Sequence, residues 1–280
     1  MKLPPASTAK LMTAIVALDR INPEAIVTIS ERATNVPSVT PRLKAGERYT
    51  VKDLLYLALM RSVNSAAIAL AEAVAGSEDA FVKMMNEKAF SLGAENTRFI
   101  NSSGLPGPDQ YITAFDLAKI MKESLKYPLI KEIIYTRTHR ISTTDRRCIF
   151  VKNTNLLLWK DEELLGGKTG YTKTAKHCFV CAAAKGQHTF IAAVLGESIR
   201  ENLWQDTSVL ISKANDIVSK GAEPMIYFSH VKENSEPPAS YNERKTTKKY
   251  KKAGYKKIGR SKKPLKKNLS AYKKEFSKKS

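Results

Sequence analysis

The sequence has few residues of the types that hold metals or form disulfide bonds. Its three cysteines, Cys148, Cys178 and Cys181, are an odd number, which excludes a complete disulfide framework. Cys178 and Cys181 lie in a segment typical of a buried strand, where residues three apart point to opposite faces. We therefore interpret both as small buried side chains rather than as a bridge or half of a zinc site. The four histidines show no ligand spacing, so we predict no metal and no other cofactor.

Long hydrophobic runs are absent as well. No apolar stretch approaches the ~20 residues of a membrane-spanning helix, and the longest candidate, Ala66–Ala75, is interrupted by Glu72. Residues 1–5 lack the apolar segment of a secretory signal. The sequence therefore predicts neither a membrane span nor an export signal within this chain.

Acidic residues are scarce in one segment, which carries most of the net charge of +20. Residues 230–280 hold 18 Lys and Arg against 4 Asp and Glu, so the rest of the chain is nearly ordinary in charge. This Lys-rich, weakly hydrophobic composition predicts a disordered basic tail over residues 222–280, after a folded domain at residues 1–221. The tail is either solvated without a specific partner or contacts an anionic polymer such as membrane headgroups, acidic wall polymers or nucleic acid.

Helical and strand patterns follow one another along the predicted domain. Apolar residues recur at helical spacing in residues 8–18, 53–60, 65–75, 79–92, 114–126 and 203–218. Paired strands are predicted at residues 136–142 with 148–152 and at residues 178–185 with 189–196. Neighbouring strands set between helices predict an α+β fold, in which helices flank an antiparallel sheet.

A Ser-x-x-Lys motif opens the first predicted helix. Ser7 and Lys10 are one helical turn apart, so the lysine amine can reach the serine hydroxyl. The N-terminus of the helix also directs free N–H groups and a positive dipole at Ser7, which favours a developing oxyanion. Lys10 must be neutral to accept a proton, so its pKa has to be lowered by burial and by nearby positive charge. The same tetrapeptide pattern occurs twice near the C-terminus without a helix, so it is weak alone.

A Ser-x-Asn motif, Ser62-Val63-Asn64, lies in the break between two apolar helices. A loop held by two packed helices can direct a hydroxyl and an amide into a cleft. The hydroxyl could relay a proton to a leaving group, and the amide could hold a substrate carbonyl.

A third motif, Lys168-Thr169-Gly170, follows two further glycines. Small residues let an extended peptide approach the backbone and pair with a strand. Lys168 and Thr169 could bind a terminal carboxylate, and the charge of Lys168 would lower the pKa of Lys10. Taken alone, this motif favours a glycine-rich surface turn that leads into the strand at His177.

The three motifs in this order resemble those of penicillin-binding proteins and class A β-lactamases. More narrowly, the chain resembles the low-molecular-mass D-alanyl-D-alanine carboxypeptidases (serine peptidase family S11) over about residues 3–220. The similarity is carried by residues 4–14, 62–72, 85–89, 101–105 and 167–172. It implies a β-lactamase/transpeptidase-like fold, with helices on an antiparallel sheet and a helical subdomain.

The resemblance also implies a role for each matching residue. Ser7 would be the nucleophile that forms the acyl-enzyme, Lys10 its general base, and Ser62 a proton relay. The residues that would bind the substrate are Asn64, Lys168, Thr169, Gly170 and Tyr171. Among them, Lys168 and Thr169 would hold the carboxylate of the terminal D-alanine. The backbone N–H groups of Ser7 and Tyr171 would form the oxyanion hole.

The implied substrate is the pentapeptide of peptidoglycan, and β-lactam antibiotics would acylate the same serine. The implied location is the cell envelope, in the periplasm or on the extracellular face. Family members carry an export signal and sheet strands before the serine helix, whereas Ser7 lies close to Met1. We therefore expect an N-terminally truncated chain or a misassigned start, with Thr189–Gly196 as an uncovered apolar sheet edge. Sequencing the N-terminus of the native protein tests this expectation.

Three other functions remain open from the sequence. A β-lactamase has the same motifs, but no convincing Glu-x-x-Asn element for deacylation lies between Asn64 and Lys168. A cell-wall endopeptidase is chemically closer. A third possibility is an inactive remnant that binds wall polymer or nucleic acid through the basic tail.

Overall fold

A computed structural model of the chain describes residues 1–142 and 148–224. The helices are α1 (Lys10–Leu18), α2 (Glu31–Thr34), α3 (Val51–Met60), α4 (Asn64–Ala75), α5 (Glu78–Ser91), α6 (Ala114–Ser124), α7 (Pro128–Tyr135) and α8 (Arg200–Lys220). Short 3₁₀ turns cover Ala6–Ala9 and Leu156–Trp159. The strands are β1 (Ile26–Thr28), β2 (Arg48–Thr50), β3 (Thr138–Ser142), β4 (Cys148–Lys152), β5 (Leu164–Thr172), β6 (Lys176–Lys185) and β7 (His188–Glu197).

In the described parts of the chain the strands form three antiparallel sheets, and the largest has the order β5-β6-β7. Helix α8 lies against β6 and β7 on one face, while α6 and α7 pack on the other face. The buried residues of α6 and α7 join those of α1, α3 and α4 in one core. The predicted α+β fold, with an antiparallel sheet flanked by helices, is confirmed. Within the described residues β7 pairs with β6 alone, which agrees with the edge position expected for Thr189–Gly196.

Alternation along β6 explains the two cysteines of that strand. Cys178 packs with Ala6 and Ala175, whereas Cys181 belongs to the separate cluster beneath α8. Both thiols are free and buried, and burial raises the pKa of Cys181 to about 12. The interpretation of both residues as small buried side chains is confirmed.

Some predicted helix limits were wrong for reasons of local chemistry. The helix predicted over residues 53–60 begins earlier, because Thr50 caps α3 and Asp53 is its capping-box partner three residues later. The helix predicted over residues 114–126 does not continue up to Pro128. Instead, α6 ends at Ser124 and Pro128 opens α7, because proline has no N–H to leave unsatisfied in a first turn.

The final helix buries less of its apolar stripe than its periodicity predicts. Leu203, Thr207 and Ile211 are buried, but Leu210 is 43% exposed and Val218 is 50% exposed. The sheet therefore supports mainly the first half of α8. The turn at residues 144–145, which would join the strands predicted at residues 136–142 and 148–152, lies outside the described residues, as does the predicted tail from residue 225 onward. In the described part of the chain, no helix is both long and apolar enough to cross a bilayer.

Candidate active site

Ser7 lies in the 3₁₀ turn that leads directly into α1. The turn is entered through Ala6, whose φ of +47° is unusual for a residue with a side chain. Lys10 begins α1, and its Nζ lies 2.9 Å from the Ser7 Oγ. The structure therefore brings together the two residues that helical spacing predicted to meet.

The Lys10 amine is completely buried and has three close oxygen partners. Its Nζ lies 2.9 Å from the Ser7 Oγ, 2.6 Å from the Asn64 Oδ1 and 2.6 Å from the Ser103 carbonyl oxygen. A neutral amine has two N–H groups and one lone pair. An amide oxygen and a peptide carbonyl can only accept, so they occupy both N–H groups. The lone pair is then left facing the Ser7 hydroxyl, which is the arrangement that a general base requires.

The electrostatics of Lys10 favour this neutral form. Burial lowers its pKa well below the usual value, and the positive charge of Lys168 lowers the pKa further. The sequence-based expectation that Lys168 would act on Lys10 in this way agrees with the structure.

The Ser-x-Asn motif occupies the break between α3 and α4. Ser62 has a φ of +66°, and its Oγ accepts a hydrogen bond of 3.1 Å from the Lys168 Nζ. The Asn64 side chain is held at both ends, since its Oδ1 accepts from Lys10 and its Nδ2 donates to the Pro37 carbonyl at 2.6 Å. One Nδ2 hydrogen remains for another acceptor.

The Lys-Thr-Gly motif lies within β5, which is the other edge of the three-stranded sheet in the described residues. Lys168 is fully buried, and burial lowers its pKa to about 7. Its Nζ also donates to the Thr169 carbonyl at 2.8 Å, and the Thr169 hydroxyl lies 2.6 Å from the hydroxyl of Thr154. Tyr171 is 57% exposed at the rim of the site. An amine that is charged below about pH 7 and a hydroxyl thus lie together at this edge strand.

The glycines of β5 allow two close contacts, one with the serine turn and one with α7 and β6. A Cβ on Gly170 would lie 2.9 Å from the Ser7 nitrogen, so this glycine lets β5 approach the serine turn. Gly166 and Gly167 were expected to clear the strand for a bound peptide. A Cβ at these positions would instead meet Ile134 and Val180, so both glycines serve contacts with α7 and β6.

Sequence reasoning missed several groups that complete the site. The Ser103 carbonyl, the Thr154 hydroxyl and the Pro37 carbonyl contact Lys10, Thr169 and Asn64 respectively. Two of the three are backbone atoms, which no side-chain pattern reveals. The segment 101–105 contributed to the family resemblance, but the sequence alone gave it no role.

Similarity to known proteins covers most of the chain. A family model described as D-alanyl-D-alanine carboxypeptidase matches residues 1–199. The D-alanyl-D-alanine carboxypeptidase DacF of Bacillus subtilis is 37% identical over 215 residues, which are 75% of this chain and 55% of DacF. A D-alanyl-D-alanine endopeptidase of Escherichia coli is 39% identical over 181 residues, which are 63% of this chain and 58% of that protein. The chain thus spans little more than half of each relative.

The fold is also similar to a solved structure. The crystal structure of a D-alanyl-D-alanine carboxypeptidase from Mycobacterium tuberculosis matches with a TM-score of 0.73 and 31% identity. The match covers 80% of this chain and 84% of that one.

Proposed function

The chain belongs to the D-alanyl-D-alanine carboxypeptidase family, and from that premise we propose that it removes the terminal D-alanine from peptidoglycan stem peptides. The observation that carries the proposal is the buried Lys10 amine, held 2.9 Å from the Ser7 Oγ with its two N–H groups directed elsewhere. The reaction is acyl transfer to Ser7 followed by hydrolysis.

In the acylation step, Lys10 takes the proton of the Ser7 hydroxyl as the Oγ attacks the carbonyl of the penultimate residue. Backbone N–H groups of Ser7 and Tyr171 stabilise the oxyanion of the tetrahedral intermediate. When the intermediate collapses, the C–N bond breaks and the amine of the leaving D-alanine takes up a proton. Lys10 supplies that proton, with Ser62 as the relay.

Substrate orientation falls to β5 and the Ser-x-Asn loop. The Lys168 ammonium and the Thr169 hydroxyl hold the carboxylate of the terminal D-alanine, a charge-assisted contact. The free edge of β5 pairs with the extended peptide next to Gly170, and the remaining Nδ2 hydrogen of Asn64 binds a peptide carbonyl. In the second step Lys10 removes a proton from water, which attacks the Ser7 ester and releases the shortened peptide.

The same attack on a β-lactam ring opens its strained amide and leaves the drug on Ser7. The proposal therefore includes β-lactams as covalent inhibitors and the cell envelope as the place of action. The basic tail would bind an anionic wall or membrane polymer, and raised salt would weaken that contact.

Mass spectrometry of the whole chain after incubation with a penicillin tests the proposal. We expect an adduct of one penicillin that maps to the peptide containing Ser7, and release of D-alanine from a synthetic pentapeptide. A folded chain without an adduct would refute the proposal and favour an inactive binding remnant. An adduct that disappears rapidly while penicillin is hydrolysed would indicate a β-lactamase.

An endopeptidase is the second candidate, because the relative from Escherichia coli bears that name. Digestion of cross-linked peptidoglycan fragments separates the two activities. A carboxypeptidase releases free D-alanine from the pentapeptide, whereas an endopeptidase cuts the cross-link between two stem peptides.

Carboxylate binding should weaken as pH rises, because the pKa of Lys168 is lowered to about 7. Lys168 carries its charge below that pKa and loses it above. We expect kcat/KM for a peptide with a free terminal carboxylate to fall up to ~10-fold per pH unit above about pH 7. The matched control is the same peptide with a C-terminal amide, which should react more slowly but lack this alkaline decline. Equal declines for both peptides would contradict the assignment of Lys168.

A further inference from the structure

The segment 101–105 supplies one of the two acceptors that orient the Lys10 amine. The Ser103 carbonyl oxygen lies 2.6 Å from the Lys10 Nζ, and Ser103 is 1% exposed. A backbone carbonyl can serve in this way only if its peptide plane is held in place. The bonds that hold this plane therefore control the direction of the Lys10 lone pair.

Ser102, the residue just before that carbonyl, is fixed from two helices. Glu78, in the first turn of α5, accepts hydrogen bonds from the Ser102 nitrogen at 2.9 Å and from its hydroxyl at 2.7 Å, both through Oε1. Thr13 of α1 donates through its hydroxyl to the Ser102 carbonyl at 2.6 Å. Every polar group of this buried serine is bound, so the backbone cannot rotate there without losing hydrogen bonds.

The residues after the carbonyl are held locally. The Asn101 Oδ1 accepts from the backbone nitrogens of Gly104 at 2.7 Å and Leu105 at 3.0 Å. This clamp lies within the segment itself and shapes its turn. Outside the segment, Gln110 donates through its Nε2 to the Leu105 carbonyl at 2.8 Å and holds the far end of the turn. On the side that precedes the Ser103 carbonyl, the turn is anchored through Glu78 and Thr13.

We propose that Glu78 is a positioning residue for the acyl-transfer function proposed above, acting through Ser102 and the Ser103 carbonyl to direct the Lys10 amine at Ser7. Glu78 belongs to none of the three motifs and touches no reacting atom. Its side chain is 13% exposed, and its Oε2 lies 3.8 Å from the Arg32 guanidinium, so its two oxygens face different partners. The functional bonds are those made by Oε1.

If Glu78 served only to stabilise α5, its replacement would not change the acylation of Ser7 by misdirecting Lys10. An acidic residue in a first turn stabilises a helix through its dipole, and both Glu78 and Asp79 are placed to do so. Asp79 is exposed and provides the matched control. Asp79→Ala removes the same charge from the same turn and leaves Ser102 held.

The test measures the second-order rate of Ser7 acylation by a penicillin against pH, together with the Tm of each variant. For Glu78→Ala we expect a rate about 10- to 100-fold lower than that of the wild-type chain, because the base is misdirected. We also expect the acid limb of the profile to move to lower pH. The lost carbonyl contact favoured the protonated amine, so its loss lowers the pKa of Lys10 further. Glu78→Gln, which keeps Oε1 as an acceptor, and Asp79→Ala should both retain the wild-type rate and profile.

Thr13→Val gives an independent measurement if Glu78→Ala does not fold. It removes the second anchoring bond with a side chain of nearly the same shape, and we expect a smaller shift of the acid limb in the same direction. Wild-type acylation by folded Glu78→Ala would overturn the inference, as would an unchanged pH profile in both Glu78→Ala and Thr13→Val. A wild-type chain that forms no Ser7 adduct would overturn the proposed function as well.

Discussion

Replacement of Lys10 with methionine is expected to slow the acylation of Ser7 by about 10⁴-fold. Methionine fills nearly the same buried volume but has no amine to accept the serine proton. Acylation by a penicillin, followed by stopped-flow or by intact mass, measures the change. Ser7→Ala provides the lower limit, because it should form no adduct at that position.

The stability of Lys10→Met separates chemistry from folding. The variant leaves the Asn64 Oδ1 and the Ser103 carbonyl without their N–H donor, which costs about 1–3 kcal/mol for each unsatisfied group. It also removes a buried amine that the fold holds at a lowered pKa. Between the lowered pKa and the ordinary value of ~10.4, the amine is neutral in the native state but protonated in the unfolded chain. The free energy of unfolding of the wild-type chain therefore rises with pH across this window.

Urea unfolding at several pH values should therefore show a weaker rise of stability with pH in Lys10→Met than in the wild-type chain. Arginine at position 10 would keep a positive charge without restoring a base, so Lys10→Arg should not recover acylation. A folded Lys10→Met that is acylated at the wild-type rate would refute the role of Lys10 as the base.

Alanine at Gly104 is expected to destabilise the chain by about 3 kcal/mol or more and to impair the site as well. Gly104 has a φ of +77°, and a Cβ there would lie 1.8 Å from the Ala6 carbonyl oxygen. Both contacting segments are backbone, so neither can rotate away. Either the turn that carries Ser7 or the segment that presents the Ser103 carbonyl must move.

Gly76→Ala is the matched control for this prediction. Gly76 has a nearly equal φ of +73°, but a Cβ there would have open space around it. Its substitution should cost about 1–2 kcal/mol from the backbone conformation alone and leave acylation unchanged. Urea unfolding gives the difference in stability, and penicillin labelling gives the effect on the site. Equal losses in the two variants would contradict the steric argument.

Much of the site could be predicted because its side chains follow local rules. Helical spacing places Lys10 next to Ser7, and a break between two apolar helices places Ser62 on a loop and Asn64 at the start of α4. These are relations between residues a few positions apart, which periodicity and capping patterns report directly. The short α7 escaped prediction because a proline inside a helical pattern predicts a break, whereas Pro128 is the first residue of α7.

The sequence by itself determined the three motifs, their order, the α+β class and the membership of a family. Only the tertiary structure decided how the motifs meet, since Lys10 and Ser103 are 93 residues apart and Lys168 and Ser62 are 106 apart. It also decided that the pKa of Lys10 is lowered, because that shift depends on complete burial and on Lys168, and neither is a property of the local sequence. The role inferred for Glu78 has the same origin, since a carboxylate acting through a backbone carbonyl leaves no pattern in the chain.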